Sequence, residues 1–435
     1  MQSHRWTSAR KVLLALALPA FVMFAPHAAL AAEPEPAPAP PAHVALKADR
    51  VLDVARGAIR NQAFVLIEGN KIVGIVDTPA PGYVVRDLGD VTLLPGLIDA
   101  HTHLMASADD GYEHMLLTMS QARRALEGAG NARRTLMAGF TTVRDVENEG
   151  SGYADVDLRD AIEAGVVEGP RMRVATRAIA AVGQYFPFGI SPDLVDFPQG
   201  AQMVSGVDEA RRAVREQIGH GADLIKVYAD WSFPTLEPEE LRAIVEEAHK
   251  EGRRVAAHAT TPQGIANAVK AGVDSIEHAF NADKASLQLM REHNTWFVPT
   301  LGPFANGVAR LPQGEERTKA QQRLDGLDAN LRYAKQLGIR IGAGYDPGER
   351  ALHGTNAREL IAMGAAGLTN AEVLRAATLS NATLMGMDDR IGSIEAGKLA
   401  DLVAVRGNPL DDLHALQQVV FVMKDGAIVR DDVAH

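Results

Sequence analysis

Residues 95–104 read Pro95-Gly96-Leu97-Ile98-Asp99-Ala100-His101-Thr102-His103-Leu104. A buried-type apolar strand here ends in two histidines one residue apart. Side chains two apart on a strand share a face, so His101 and His103 point the same way and can hold one metal ion. A doubly wound open sheet, the alternative architecture, would usually carry a glycine-rich fingerprint after its first strand. This chain has His-Thr-His in that place.

Working outward, apolar strand candidates alternate with amphipathic helices. The strands fall at 96–103, 141–145, 171–176, 223–228, 254–259, 275–279, 296–300 and 340–346, with helices at 115–137, 207–217, 238–250 and 315–336 among those between them. Eight β/α alternations predict an α/β fold of the (β/α)8 TIM-barrel type over residues 96–391. The flanks read differently. Residues 43–95 are short strands with a hairpin signal at Glu68-Gly69-Asn70, and residues 392–435 hold strands around Asp425-Gly426, a type I′ turn pair. Two β-rich ends predict one small β-sandwich built from both termini.

Several expected strand ends carry ligand-type residues. Lys226 lies on the fourth strand. It is either a lysine whose head reaches solvent or one carboxylated by CO2 to bridge two metals, and the ligands offered by four other strands favour the second. His258 and His278 end strands five and six, on the face where such barrels place their sites. Asp346 ends strand eight after Gly342 and Gly344; it is a helix cap or a ligand that also accepts a proton from metal-bound water. His101, His103, Lys226, His258, His278 and Asp346 make a nitrogen and oxygen set suited to two divalent ions, zinc first. Two ions about 4 Å apart would share a hydroxide that attacks a carbonyl. Tyr228 faces the same mouth, within reach of a substrate carboxylate or an oxyanion. His353 follows strand eight in a loop and is a weaker substrate-binding candidate. Glu277, next to His278, should point toward the helices. Arg144 and Asp145 are either supports behind the ligands or an ordinary ion pair.

The motifs PGLIDAHTHL, DLIKVYAD, VAAHA, SIEHA and the strand-eight Asp resemble the amidohydrolase superfamily, in particular its imidazolonepropionase-like and Xaa-Pro dipeptidase-like members, over about residues 43–432. The resemblance implies cleavage of an amide next to a free carboxylate, as in prolidases, carboxypeptidases and hydrolases of ochratoxin-type amides. It implies that His101, His103 and Asp346 hold the more buried metal and His258 and His278 the other, with N6-carboxylysine at Lys226 between them. It also implies a homo-oligomer, in the fullest case an octamer. Where many relatives show a segment like TGGHGD, this chain has Val182-Gly183-Gln184-Tyr185-Phe186-Pro187-Phe188. Tyr185, Phe186 and Phe188 point to an apolar side-chain pocket, so N-acyl or N-aryl derivatives of hydrophobic amino acids are the expected substrates. Xaa-Pro dipeptides are the alternative. An imidazolonepropionase-like cyclic amide hydrolase would have no use for a bridging Lys226. A periplasmic metal-binding protein would not need so complete a ligand set.

Composition narrows the field further. The 435 residues carry a net charge of −11, which disfavours nucleic acid and anionic membrane surfaces as partners. Cysteine is absent, which excludes disulfides, thiolate nucleophiles and Cys-ligated metals. Arg5, Arg10 and Lys11 precede an apolar run at 12–24 and Ala29-Leu30-Ala31, so residues 1–31 read as a secretory signal peptide and 32–42 as a Pro/Ala linker. The expected location is periplasmic or secreted, with no membrane attachment after cleavage.

Overall fold

The computed structural model describes residues 43–185, 193, 198–231 and 234–433. The expected signal peptide and linker, and Phe186 and Phe188 of the aromatic segment, lie outside the described residues.

The strand that carries the two histidines, Leu97–Thr102, is wholly buried, as expected of a parallel strand covered on both faces. It pairs in parallel with Phe140–Asp145, which pairs in parallel with Arg171–Val174. A second parallel sheet runs in the order Ala201–Val204, Ala178–Ala181, Leu224–Tyr228, Arg254–Ala259, Ser275–His278, Trp296–Val298. Its first two strands were not among those expected. The two sheets meet where Asp223 N donates to Val174 O at 2.8 Å. On the other side, residues 340–346 run between Trp296–Val298 and Leu97–Thr102. Gly342 N donates to Phe297 O, Ala100 N to Ala343 O and Asp346 N to His101 O, at 2.8–2.9 Å. This segment is not a regular strand: it makes one bridge, between Phe297 and Ile341. Glycine is needed there because a Cβ on Gly344 would lie 2.6 Å from both His101 Cβ and Val298 Cγ1.

Helices follow most strands and seal them. Pro238–Lys250 starts with a reciprocal capping box between Glu237 and Glu240 and buries Leu241, Ile244, Val245 and Ala248, one stripe of a 3.6-residue period. The helix expected over 115–137 is two helices, Tyr112–Thr118 and Gln121–Met137. Ser120 breaks it by capping the second, accepting from Arg123 N at 3.2 Å. Among the described residues no helix is long and apolar enough to cross a membrane.

Residues 43–95 and 402–431 both enter one eight-stranded sheet. Val91–Pro95 and Leu402–Arg406 join them, paired antiparallel from Leu402 with Pro95 to Arg406 with Val91. Val65, Ile67 and Leu93 share a core cluster there with Leu402, Phe421 and Met423. Asp425 and Gly426 both have positive φ, 49° and 76°, as a type I′ turn demands. A Cβ on Gly426 would lie 2.2 Å from Gly69 O, so the two hairpin tips touch.

Candidate active site

The expected ligands converge at the C-terminal ends of the parallel strands, around a cavity of about 500 Å³ lined by His101, His103, Lys226, His258, His278 and Asp346. Tight backbone turns aim several of them. His278, Thr300 and Asp346 take left-handed φ values of 73°, 50° and 57° where their strands end. His101 Nε2 and His103 Nε2 are 3.2 Å apart. Asp346 Oδ1 lies 3.2 Å from the second and 3.8 Å from the first.

Polar groups stand behind three of the four imidazoles, though the His103–Glu149 approach lacks hydrogen-bond geometry. His101 Nδ1 donates to Glu277 Oε2 at 2.7 Å, His103 Nδ1 stands 2.5 Å from Glu149 Oε1, and His278 Nδ1 lies 2.8 Å from Thr300 Oγ1. A proton held on Nδ1 leaves the Nε2 lone pair facing inward, the arrangement metal-ligating histidines use. His258 Nε2 is buried without a partner, and its ring packs 4.6 Å from that of His278. Burial, with the nearby Lys226 charge, holds His101, His258 and His278 well below the usual histidine range, so they are neutral donors. Burial would lower His103 too, but the Glu149 and Asp346 carboxylates raise it well above. Those carboxylates draw a positive charge to this point, and a metal ion answers that demand as a proton would. Burial would raise Asp346, yet His101, His103 and Lys226 hold it at about 2, so it stays ionised. His101, His103 and Asp346 bring ligand atoms within 4.8 Å of one another, close enough to hold a metal ion. Lys226 is 1% exposed, and burial lowers its pKa. Among the described residues it forms no ion pair.

Some positions differ from expectation. Glu277 does not face the helices: it is fully buried and bonds His101, Arg144 Nη2 at 2.7 Å and Ser275 Oγ at 2.5 Å. Ser275 and Glu277 share the inner face, and the positive φ at His278 turns the next side chain into the mouth as well. Arg144 pairs with Glu277 rather than with Asp145, which instead accepts from Leu104 N at 2.6 Å. Tyr228 and Tyr185 line the cavity, but both hydroxyls are engaged by Glu147, and Tyr185 also meets Tyr112 at 3.0 Å. Burial, with the Glu149 charge beside it, raises Glu147 to about 7. His353 is not on this cavity wall; its Nε2 donates to Ala106 O at 3.0 Å from behind. Sequence reasoning missed Glu147 and Glu149. The available signal was the acidic run Asp145-Val146-Glu147-Asn148-Glu149 directly after a strand on the ligand-bearing face.

The same arrangement has known relatives. A model of the amidohydrolase family matches residues 92–429. Ochratoxinase of Aspergillus niger is 31% identical over 412 residues, covering 86% of this chain and 83% of the relative. The crystal structure of a Xaa-Pro dipeptidase with methionine bound in its active site superimposes with a TM-score of 0.80 at 32% identity, covering 89% of this chain and all of that one. Imidazolonepropionase of Deinococcus deserti is 25% identical over 348 residues, 76% of this chain and 81% of the relative. With these histidines and Asp346 gathered at the strand ends and relatives of this kind over most of its length, the chain belongs to the amidohydrolase family and is a hydrolase of amide bonds.

Proposed function

We propose that this hydrolase uses two divalent ions, zinc first, and cleaves amides whose leaving amine belongs to a hydrophobic amino acid with a free carboxylate, in the manner of a carboxypeptidase. The observation that carries the substrate side of this reading is the wall facing the histidines. Tyr112, Tyr185, Tyr228, Trp231 and Phe280 line it, and Tyr228 and Trp231 stack at 4.8 Å. Covering one large apolar group there is worth roughly 1.5–3 kcal/mol. Ochratoxinase among the relatives supports an aromatic amide. The Xaa-Pro dipeptidase supports the alternative of proline as the leaving residue.

In this reading His101, His103 and Asp346 would hold one ion and His258 and His278 the other, and a carboxylated Lys226 would add oxygen donors. Burial of Lys226 favours the neutral amine, the form that adds CO2. When bound, the ions polarise the scissile carbonyl and make water nucleophilic at neutral pH. Asp346 takes the proton released on attack and returns it to the leaving nitrogen. Glu277 and Glu149 keep His101 and His103 in one tautomer, and the aromatic wall keeps bulk water from the reacting amide. The parallel strands are read as a closed eight-stranded barrel, and the sheet from both termini as a small sandwich. A secreted or periplasmic homo-oligomer completes the proposal.

The test is kcat/KM for an N-acyl-phenylalanine against its C-terminal amide and against a Xaa-Pro dipeptide, on zinc-loaded protein. The expected order places the N-acyl-phenylalanine first. Equal rates on acid and amide would remove the carboxylate requirement, and preference for the dipeptide would install the alternative.

A further inference from the structure

A second cavity, of about 440 Å³, lies behind the catalytic one. Arg133 and Arg134 from the helix Gln121–Met137, Arg358 from the helix Ala357–Ala365 and Arg430 from the terminal sheet line it, and no Asp or Glu does. Two of these cations are neutralised: Arg133 by Glu168 at 2.8 Å and Arg430 by Asp432 at 2.7 Å. Arg134 and Arg358 are not; their side-chain partners are neutral, the amide of Asn131 for Arg134 and the amide of Asn306 and the Tyr345 phenol for Arg358. Among the described residues neither pairs with a carboxylate. Two uncompensated guanidinium groups on one cavity repel each other, and an anion placed between them removes that repulsion. Guanidinium also supplies the paired donors that carboxylate and phosphate oxygens accept.

A separate feature sits in the same wall. His353 is 2% exposed and lines this cavity. Its Nε2 is spent on Ala106 O, and its Nδ1 is buried without a partner. With the proton on Nε2, Nδ1 is an acceptor that lacks a donor. Gly354, at φ 88°, brings this turn against the helix; a Cβ there would lie 3.0 Å from Arg134 O. The turn is thereby fixed beside Arg134.

We propose that this cavity is a binding site for a small oxyanion, held by Arg134 and Arg358, with an acidic hydroxyl of the ligand donating to His353 Nδ1. Monohydrogen phosphate has both functions, and a short dicarboxylate in its half-protonated form has the same chemistry. The site is independent of the amide substrate, since Ala106 and His353 separate it from the catalytic cavity.

Calorimetric titration of metal-loaded protein at constant ionic strength tests this, with inorganic phosphate and succinate in separate arms and chloride as the balancing anion. The wild type should show saturable binding of at least one of them. Arg134→Gln/Arg358→Gln should weaken it about tenfold or more, as loss of charge-assisted contacts implies, and Arg358→Lys should retain part of it. Phosphate bound at the catalytic ions would persist in the double variant, which separates the two sites. The arm that binds more tightly identifies the source of the oxyanion. Should the double variant fail to fold, Arg134→Gln alone carries the comparison. Absence of saturable binding in both arms, or binding unchanged by the arginine substitutions in folded protein, would overturn the proposal.

Discussion

The two halves of the histidine cluster are built on different chemistry. His101 and His103 each stand against a buried carboxylate, Glu277 and Glu149. His278 leans on the Thr300 hydroxyl, and His258 packs against aromatic rings, its Nε2 without a hydrogen-bond partner among the described residues. A carboxylate behind an imidazole fixes the tautomer and strengthens the ring as a donor; a hydroxyl does the first and little of the second. Among the described residues the group whose ligand atoms lie close enough to hold one ion is on the strand-one side, His101, His103 and Asp346, so on the proposed reading this half is the tighter and the other leans on Lys226. Aromatic rings surround the weaker half: Trp231 lies 4.5 Å and Tyr228 5.2 Å from the His258 ring. One half is backed by charge and the other is bordered by aromatic rings.

Removing Lys226 should have the largest effect. Lys226→Ala is expected to lose most activity and at least one metal per chain, with the loss confined to the His258 and His278 half. Short carboxylic acids should partly restore both. Metal analysis after gel filtration checks this, and full metal content with a near-normal rate would remove the bridging role. Asp346→Asn comes next. It keeps an oxygen ligand but removes the base, so metal should stay while kcat falls by roughly 10²–10⁴-fold. An almost unchanged kcat would place the proton acceptor elsewhere. Glu277→Gln should then weaken metal binding about 10–100-fold, the usual cost of losing such a partner, and Thr300→Val should cost less. Competition against a chromogenic chelator reads both; equal losses would erase the contrast between the halves.

The convergence of the six candidate residues was legible because the rule behind it is simple. Alternation along a strand, combined with the C-terminal ends of parallel strands, was enough to pick out His101, His103, Lys226, His258, His278 and Asp346, and the structure brings all six to one cavity. The same rule misplaced Glu277, because it assumes that the strand continues through His278, whose φ of 73° ends the alternation. No periodic pattern reaches Glu147 or Glu149: they lie in a loop, and only tertiary contacts set their direction. The strand ladder expected at 340–346 is reduced to one bridge because Gly342 and Gly344 are there for close approach rather than for pairing. The terminal hairpins were readable from turn chemistry, since Asp425-Gly426 needs positive φ at both positions and has it.

The smallest expected effect concerns a buried carboxyl behind the turn that follows Thr300. Glu359 is 1% exposed; one carboxyl oxygen accepts from Gly302 N at 2.5 Å and the other, Oε1, is buried without a partner. Burial, against the pull of the Gly302 and Leu301 amides and with the repulsion of Asp99 and Asp346 added, raises its pKa from 4.5 to about 8. The folded protein therefore binds a proton that the unfolded chain releases across this window. Stability from this group is fully present below pH 4.5 and falls as pH rises toward 8, by at most about 1.4 kcal/mol per pH unit. Glu359→Gln keeps the shape and cannot ionise, so its stability should fall less over the same range. Urea unfolding of both proteins at about pH 5.5 and 8.5, at saturating metal, reads the difference, in which the metal's own pH dependence cancels. The gap between the two proteins should move in favour of the glutamine variant at the higher pH. Parallel curves would mean that Glu359 is ionised in the native state, and that its unpaired oxygen finds a partner when charged.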